Sequence, residues 1–376
     1  IKNLFNPSSY KGIIPQGEGQ TFTISAQTNA KYYQAYSMSF LDPWFGGKRP
    51  NSLSVSAYYS RQTGVNSNFY NRNYMTSGMY YNGLGSYLGY NSNYYDNYYQ
   101  SSIENAYDKN KFLQMAGVTV GFGKRLNWPD NYFTFMAQLS YNWYHLKNWE
   151  YLYYMNNGTS NSFVLGLNLS RNSIDNPIYT RSGSSFSVDL GLTPPVSLFS
   201  NKDWKALSEA GTQEAKEELY KWIEYWKLKF KARTFTPLSN PESKWTLVLM
   251  TRADIGLLGS YNKYLKSPFE TFYVGGDGMS GSYGYAQETI ALRCYDNGSF
   301  TPWTKDGYAY TRFCMELHFP FMLQPSTTIY GLTFIEGGNA WTDIKEFSPF
   351  NLKRSAGAGV RIYLPMVAMT GTPWAY

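Results

Sequence analysis

The chain has little of what most enzymes and metalloproteins need. Its 376 residues include only two cysteines and two histidines. Neither His145 nor His318 lies in a Gly-x-Ser-x-Gly or His-Glu-x-x-His context, the patterns that would indicate a nucleophile or a zinc site. We therefore expect no enzymatic activity, no catalytic residue, no metal site and no cofactor.

The sequence also lacks a long apolar run. A membrane-spanning helix needs about 20 consecutive apolar residues, and none occurs here although 43% of the residues are hydrophobic. Apolar residues come at every second position instead, most regularly in 245–257, 184–192 and 355–364. Strict alternation of this kind predicts β-strands with one apolar face and one polar face.

Two all-β architectures alternate in this way, a soluble sandwich and a membrane barrel. A soluble sandwich of this length would divide into two or more domains. It would also leave 37 Tyr, 23 Phe and 11 Trp without a reason, whereas aromatic girdles at both membrane interfaces explain them. The opposite faces are rich in Ser, Thr and Gly, which suits a wet lumen. We predict an all-β fold, a transmembrane antiparallel β-barrel with its apolar face toward lipid.

The net charge and the start of the sequence give less information about function. The net charge of +7 is modest, and no Lys/Arg cluster is interleaved with aromatics as nucleic-acid binding requires, so no nucleic-acid partner is expected. The chain does not start with a signal peptide. If it is an outer-membrane protein, we expect a signal and periplasmic POTRA domains upstream, with 1–376 forming the barrel domain.

Turn residues divide the chain into strands and two kinds of connection. Short turns alternate with long loops at 62–111, 144–161, 193–221 and 259–307, as in outer-membrane barrels. A surface helix is predicted within 203–222. About 15 strands are predicted, near 20–28, 32–42, 52–61, 112–122, 131–143, 162–172, 184–192, 222–237, 245–258, 270–275, 288–294, 308–320, 327–336, 354–364 and 366–376. Because bacterial barrels close with an even number, 16 are expected, and either one strand escapes detection or the last one is absent from this chain.

Several motifs in one order resemble a known family. They are a Phe-Tyr-Val-Gly-Gly run at 272–276, the tetrapeptide Leu292-Arg293-Cys294-Tyr295, the segments 334–341 and 355–361, and a first hairpin at 36–47. In these the chain resembles the BamA family of outer-membrane protein insertases, which belongs to the outer-membrane assembly-factor superfamily. The resemblance covers essentially the whole chain and is closer in the last third. The family's apolar-Arg-Gly-aromatic motif matches 292–295 with a cysteine in place of glycine, and 282–285 is a weaker match without the arginine.

The resemblance implies a role for the loop 259–307. In the family this loop folds back into the lumen, and its arginine is held by acidic residues on the barrel wall. By position the arginine here is Arg293 and the acids are Glu316 and Glu336. An arginine buried in a lumen needs carboxylate partners, which its planar fork binds in pairs. The alternative is a solvated loop charge, and Glu336 shares its alternating face with Phe334, so its direction stays ambiguous unless the strand is bulged.

The two cysteines lead to a further hypothesis. Cys294 follows Arg293, and Cys314 lies two residues before Glu316 on the same strand face. If Arg293 reaches Glu316, the cysteines come close together in a compartment where disulfides form. A Cys294–Cys314 disulfide would pin the loop; the alternative is two unpaired thiols.

The function implied by the resemblance is the folding and insertion of other outer-membrane barrels in a Gram-negative outer membrane. The mechanism would be β-augmentation at a seam between the first and last strands. Its partners would be unfolded outer-membrane clients, accessory lipoproteins of an assembly complex, and outer-membrane lipid with lipopolysaccharide. The alternative is a secretion pore or a passive channel of the same superfamily. The seam strand is Thr21, Phe22, Thr23, Ile24, Ser25, Ala26, Gln27 and Thr28.

Overall fold

The computed structural model describes most of the chain. Described are residues 19–29, 32–47, 51–65, 107–149, 155–240, 242–243, 245–267, 270–278, 288–301, 306–324, 326–364 and 367–372. The Tyr/Asn-rich centre of the predicted loop 62–111, the weaker motif at 282–285 and the last four residues lie outside these ranges.

One antiparallel sheet dominates the fold. Its strands follow chain order, each paired with its neighbours, because short turns favour pairing of consecutive strands. The strands of this sheet are β1 (Thr21–Asn29), β2 (Tyr33–Asp42), β3 (Asn51–Val65), β4 (Tyr107–Arg125), β5 (Phe133–Lys147), β6 (Gly158–Asn172), β7 (Gly183–Leu192), β8 (Trp226–Pro237), β9 (Val248–Gly259), β12 (Ala309–Gln324), β13 (Thr327–Trp341), β14 (Lys353–Leu364) and β15 (Val367–Thr372). Between β9 and β12 lie two short strands, β10 (Phe272–Val274) and β11 (Glu288–Ile290).

The predicted number of barrel strands was too high by two. The segments 270–275 and 288–294 do not join the main sheet, which has 13 strands. They contain β10 and β11, which pair with each other in parallel and, at three residues each, are far shorter than the 9–11 residues that cross a bilayer. Within the described residues the expected 16 strands are not reached, and β1 and β15 are the two edges of the sheet.

The outer face of the sheet carries the apolar residues of the alternation. Val55, Val120, Leu139 and Leu165 lie side by side on β3 to β6, each paired with the next. They are 37%, 44%, 44% and 40% exposed. A contiguous exposed apolar band of this kind costs free energy in water and none in hydrocarbon. The predicted lipid-facing barrel is therefore confirmed as an all-β antiparallel sheet with an apolar exterior.

The connections differ at the two ends of the sheet. At one end they are short, from two residues at 325–326 to ten at 173–182. At the other end lie the long segments 193–225 and 260–308, whereas the predicted loop 144–161 is only 148–157, because β5 and β6 extend into it. In 193–225 the predicted helix is two helices, α1 (Trp204–Ala210) and α2 (Gln213–Leu219), because Gly211 between them has a φ of 61° that ends the first. No helix in the described part of the chain is long and apolar enough to cross a membrane.

The inside of the sheet is less wet than the alternation predicts. Toward the end with the long connections, a buried apolar cluster fills the interior and includes residues of β10 and β11. These are Phe272, Val274 and Ile290, packed with side chains of the wall such as Leu258 and Tyr310. The prediction of a polar lumen was wrong here because a loop that enters the barrel brings its own apolar surface to be buried.

Candidate functional site

The segment between β9 and β12, here called the lumen loop (residues 260–308), is seated on the inner face of the wall. Phe272 is fully buried and meets Tyr310 of β12 edge-on, with ring centroids 4.7 Å apart. Gly256 of β9 makes this contact possible, since a Cβ there would lie 2.2 Å from the Tyr310 ring and 2.9 Å from the Phe272 ring. The wall therefore has a notch that accepts the loop.

Arg293 is the residue by which the lumen loop contacts two acids of the wall. Its Nε lies 2.6 Å from Oε2 of Glu336, and its Nη2 lies 2.8 Å from Oε1 of Glu316. Its guanidinium carbon lies 3.7 Å from the centre of the Phe334 ring, which adds a cation–π attraction. The structure thus brings together the arginine and both of the acids that the sequence comparison singled out.

Glu336 is the more deeply buried of the two acids, with 1% of its surface exposed. One carboxylate oxygen binds Arg293 and the other binds the Nε of Arg312 on β12. Glu336 points inward together with Leu332 and Phe334, which are also buried, and the pairing of β13 with β14 is in continuous register from Thr328 to Gly338. No bulge is involved: the inner face of β13 is apolar because Leu332 and Phe334 pack in a buried cluster with residues of the wall and of the turn 173–182.

Glu316 joins the arginine to a second set of wall residues. Its Oε2 lies 2.9 Å from Nε2 of His318 and 3.3 Å from Nη2 of Arg361 on β14. Glu316 and His318 are 3% and 4% exposed. His318 is therefore a hydrogen-bond partner of a buried carboxylate.

The other members of the motif also contact the wall. Leu292 is 1% exposed and lies against Gly338 of β13, where a Cβ would come within 2.8 Å of Leu292 Cδ1. The hydroxyl of Tyr295 donates to the carbonyl oxygen of Arg354 at 2.8 Å. The motif therefore reaches β12, β13 and β14 through successive side chains.

The expected disulfide is absent, because Cys294 and Cys314 are both free thiols. Arg293 occupies the space next to Cys314, with Nη2 2.9 Å from its Sγ. Cys294 is exposed, and its Sγ lies 3.8 Å from the carbonyl oxygen of Ala356 on β14. Arg293 and Cys294 therefore contact different strands. Arg293 contacts Cys314 on β12, and Cys294 contacts β14.

Cys294 has a φ of 69°, in the left-handed region that favours glycine. We expect Cys294→Gly to remove this backbone strain and to stabilise the folded loop by about 1 kcal/mol, the strain of a left-handed residue less the entropy cost of glycine. Protease resistance of the lumen loop in outer-membrane preparations measures the change. Cys294→Ala, which keeps a Cβ, is the matched control and should bring no gain.

A second group of charged residues was missed by the sequence analysis. Lys227, Lys229 and Lys231 of β8 point inward and contact two acids of the lumen loop, Glu270 and Glu288. The signal was present as lysine at three alternate positions, with Leu and Phe between them and Trp before the first. On a transmembrane strand such a row requires anionic partners inside the barrel. Among the described residues no group of His, Cys, Asp and Glu could hold a metal ion.

The predicted seam strand lies in β1, at one edge of the sheet. Among the residues that the structure describes it pairs with β2 alone, and all of its residues are exposed. Phe22 and Ile24 point outward, with 60% and 72% of their surfaces exposed. Its use as a seam remains a prediction.

These features agree with comparisons to known proteins. The sequence matches the Omp85 superfamily domain over residues 16–370, and the chain therefore belongs to the Omp85 superfamily. Its fold is similar to the barrel in the crystal structure of BamA from Haemophilus ducreyi lacking POTRA domains 1–3, with 16% identity and a TM-score of 0.58. That alignment covers 95% of this chain and 62% of the BamA chain.

A second solved structure, CdiB from Acinetobacter baumannii, aligns with 12% identity and a TM-score of 0.41 over 92% of this chain and 47% of that chain. A comparison with curated proteins gives no match. The chain is thus a BamA-like β-barrel that spans 62% of the length of the BamA structure it resembles.

Proposed function

We propose that this protein folds and inserts other outer-membrane β-barrel proteins, without catalysing a chemical reaction. The observation that carries this proposal is the anchored lumen loop: Arg293 is bound to Glu316 and Glu336, and the loop's apolar residues are buried against the wall. A loop held in this way obstructs the lumen and braces one side of the barrel. It does not suit a pore whose task is free passage.

The braced strands and the open edge have different roles in this proposal. The polar contacts of the lumen loop lie on β8 and on β12 to β14, which keeps that part of the sheet rigid. The edge strand β1 offers unpaired main-chain groups on which a client strand can add by β-augmentation. The folding free energy of the client drives insertion, so no nucleotide or metal is required.

The proposed setting follows from the superfamily. The protein would act in the outer membrane of a Gram-negative bacterium, within an assembly complex that includes accessory lipoproteins. Unfolded outer-membrane proteins would be its clients, and outer-membrane lipid and lipopolysaccharide would surround its apolar exterior.

Depletion of the protein tests this function. If it is an insertase, the levels of many outer-membrane barrels should fall together, measured by quantitative proteomics of outer-membrane fractions. A secretion pore of the same superfamily would instead lose one or a few exported proteins, and a passive channel would change permeability with barrel levels intact. Either of the last two patterns would contradict the proposal.

The seam can be tested by photo-cross-linking during client synthesis. A photoreactive residue at Ile24 on β1 is expected to give adducts with client chains. The matched control is Val118 on β4, which is also exposed on the outer face, at 49%, but lies in a strand paired on both sides. Equal adducts at both positions, or none at Ile24, would rule out β1 as the edge that receives clients.

A further inference from the structure

The lumen loop has a second set of charged contacts, made to β8 and involving neither Glu316 nor Glu336. Glu288 of β11 lies within 3.3, 3.0 and 3.2 Å of the Nζ atoms of Lys227, Lys229 and Lys231 of β8. Glu270 lies 3.2 Å from Lys227. The three lysines occupy alternate positions of one strand, so they share its inner face.

These pairs are not mobile surface charges. The side chains of Lys227 and Glu288 are 10% and 23% exposed. The backbone holds the acid in place, because Glu288 pairs with Phe272 in the β10–β11 ladder and its N–H donates to Thr271 at 3.0 Å. A preformed carboxylate facing three partly buried ammonium groups loses little side-chain entropy on pairing.

The two sets of contacts have opposite polarity. On β8 the wall is basic and the lumen loop is acidic, through Glu288. On β12 and β13 the loop is basic, through Arg293, and it contacts the acids Glu316 and Glu336, which arginines of the wall also bind. A loop that entered the barrel in the reverse direction would place Arg293 against the three lysines of β8, and like charges brought together inside a barrel are costly.

We propose that the lysine row of β8 is a second positioning anchor, which fixes the direction of the lumen loop and retains β10 and β11 in the barrel independently of Arg293. The lysines act through the loop and not on a client. Only the effect of this anchor on insertion rests on the proposed function. The anchor itself is a property of the fold.

The anchor is tested by charge reversal in the full chain in outer-membrane vesicles. Glu288→Lys places a fourth positive charge among the lysines, and we expect cleavage of the lumen loop by chymotrypsin to become faster by on the order of ten-fold, the size of a typical coupling between contacting charges. Combining it with Lys229→Glu and Lys231→Glu restores complementary charges at position 288, leaves Lys227 paired with Glu270, and should restore slow cleavage. Glu214→Lys, at an exposed position of α2, is the control for the added charge alone.

Independence from Arg293 is tested with milder variants. Glu288→Gln and Arg293→Ala should each leave partial protection of the loop, whereas the double variant should lose it. Glu288→Gln also serves if Glu288→Lys fails to reach the compact, detergent-resistant form that folded barrels show on gels. Unchanged cleavage in both Glu288 variants, or failure of the reversed lysines to rescue, would overturn the anchor. If Glu288→Lys is cleaved faster and the reversed lysines rescue it, the anchor is supported. If client levels nevertheless stay unchanged in Glu288→Lys, the proposed function is contradicted.

Discussion

Replacing Glu336 with glutamine is expected to release the motif of the lumen loop from the wall and to lower the insertion of client barrels. The carboxylate is shared by Arg293 and Arg312, and the side chain is fully buried. Each carboxylate oxygen binds a different guanidinium, so a glutamine would turn its NH2 donor toward one of them, and both positive charges would lose their counter-charge. Breaking a buried pair from one side costs about 3–5 kcal/mol, enough to favour a displaced loop.

Chymotrypsin cleavage of the lumen loop and the level of assembled client barrels measure this effect. Glu346→Gln, an exposed acid in the short helical turn between β13 and β14, is the control for losing one negative charge. Normal client levels together with a released loop would show that insertion does not require the anchored loop. A protected loop in Glu336→Gln would show that Glu316 alone suffices to hold Arg293.

A single methyl group at Gly338 is expected to have the second largest effect. A Cβ there would lie 2.8 Å from Leu292 Cδ1 and 2.9 Å from the carbonyl oxygen of Thr311. The second neighbour is backbone of the adjacent strand and cannot turn away, so Leu292 must leave its position. Overpacking of this kind typically costs about 1–3 kcal/mol, and in Gly338→Ala it should appear as a loop that is cleaved readily.

Gly337→Ala is the matched control, one residue away on the same strand. Its Cβ would be 3.4 Å from its nearest neighbour, Leu352, which is an ordinary contact, so this variant should behave as the unchanged protein. Equal cleavage of the two alanine variants would mean that the position of Leu292 does not depend on the missing side chain at Gly338. A general weakening of the strand by alanine would instead appear in both.

Most of the barrel could be predicted from the sequence because one physical rule governs each strand. Lipid on one side forces every second residue to be apolar, and Val120, Leu139 and Leu165 follow that rule. The rule fails on β13, where Leu332 and Phe334 are apolar and point inward while Ile335 is 66% exposed. Both faces of that strand meet apolar surroundings, lipid outside and a buried apolar cluster inside, so alternation carries no information there.

The site could be predicted only in part, for a related reason. Arg293, Glu316 and Glu336 were identified because the motif is similar to that of a family. The space beside Cys314 is filled by the Arg293 guanidinium and not by the Cys294 thiol. This choice depends on the left-handed φ at Cys294, which the spacing of residues in the sequence does not show. The lysines of β8 were visible as a row, but their partner Glu288 lies 57–61 residues further along the chain, on a loop whose path is set by packing. With so many residues between them, the sequence alone does not show which acid each lysine contacts.

The 13 antiparallel strands have a consequence for any closure of the barrel. Since each strand reverses the direction of the previous one, β1 and β15 run the same way. Joined directly, they would form a parallel ladder, whose slanted hydrogen bonds are slightly weaker per residue. An odd number of strands placed between them, whether from this polypeptide or from another, would be antiparallel to both edges. For the sheet formed by the described residues, closure by antiparallel pairing therefore depends on parity, and a lone hairpin, which adds two strands, cannot pair in this way with both edges.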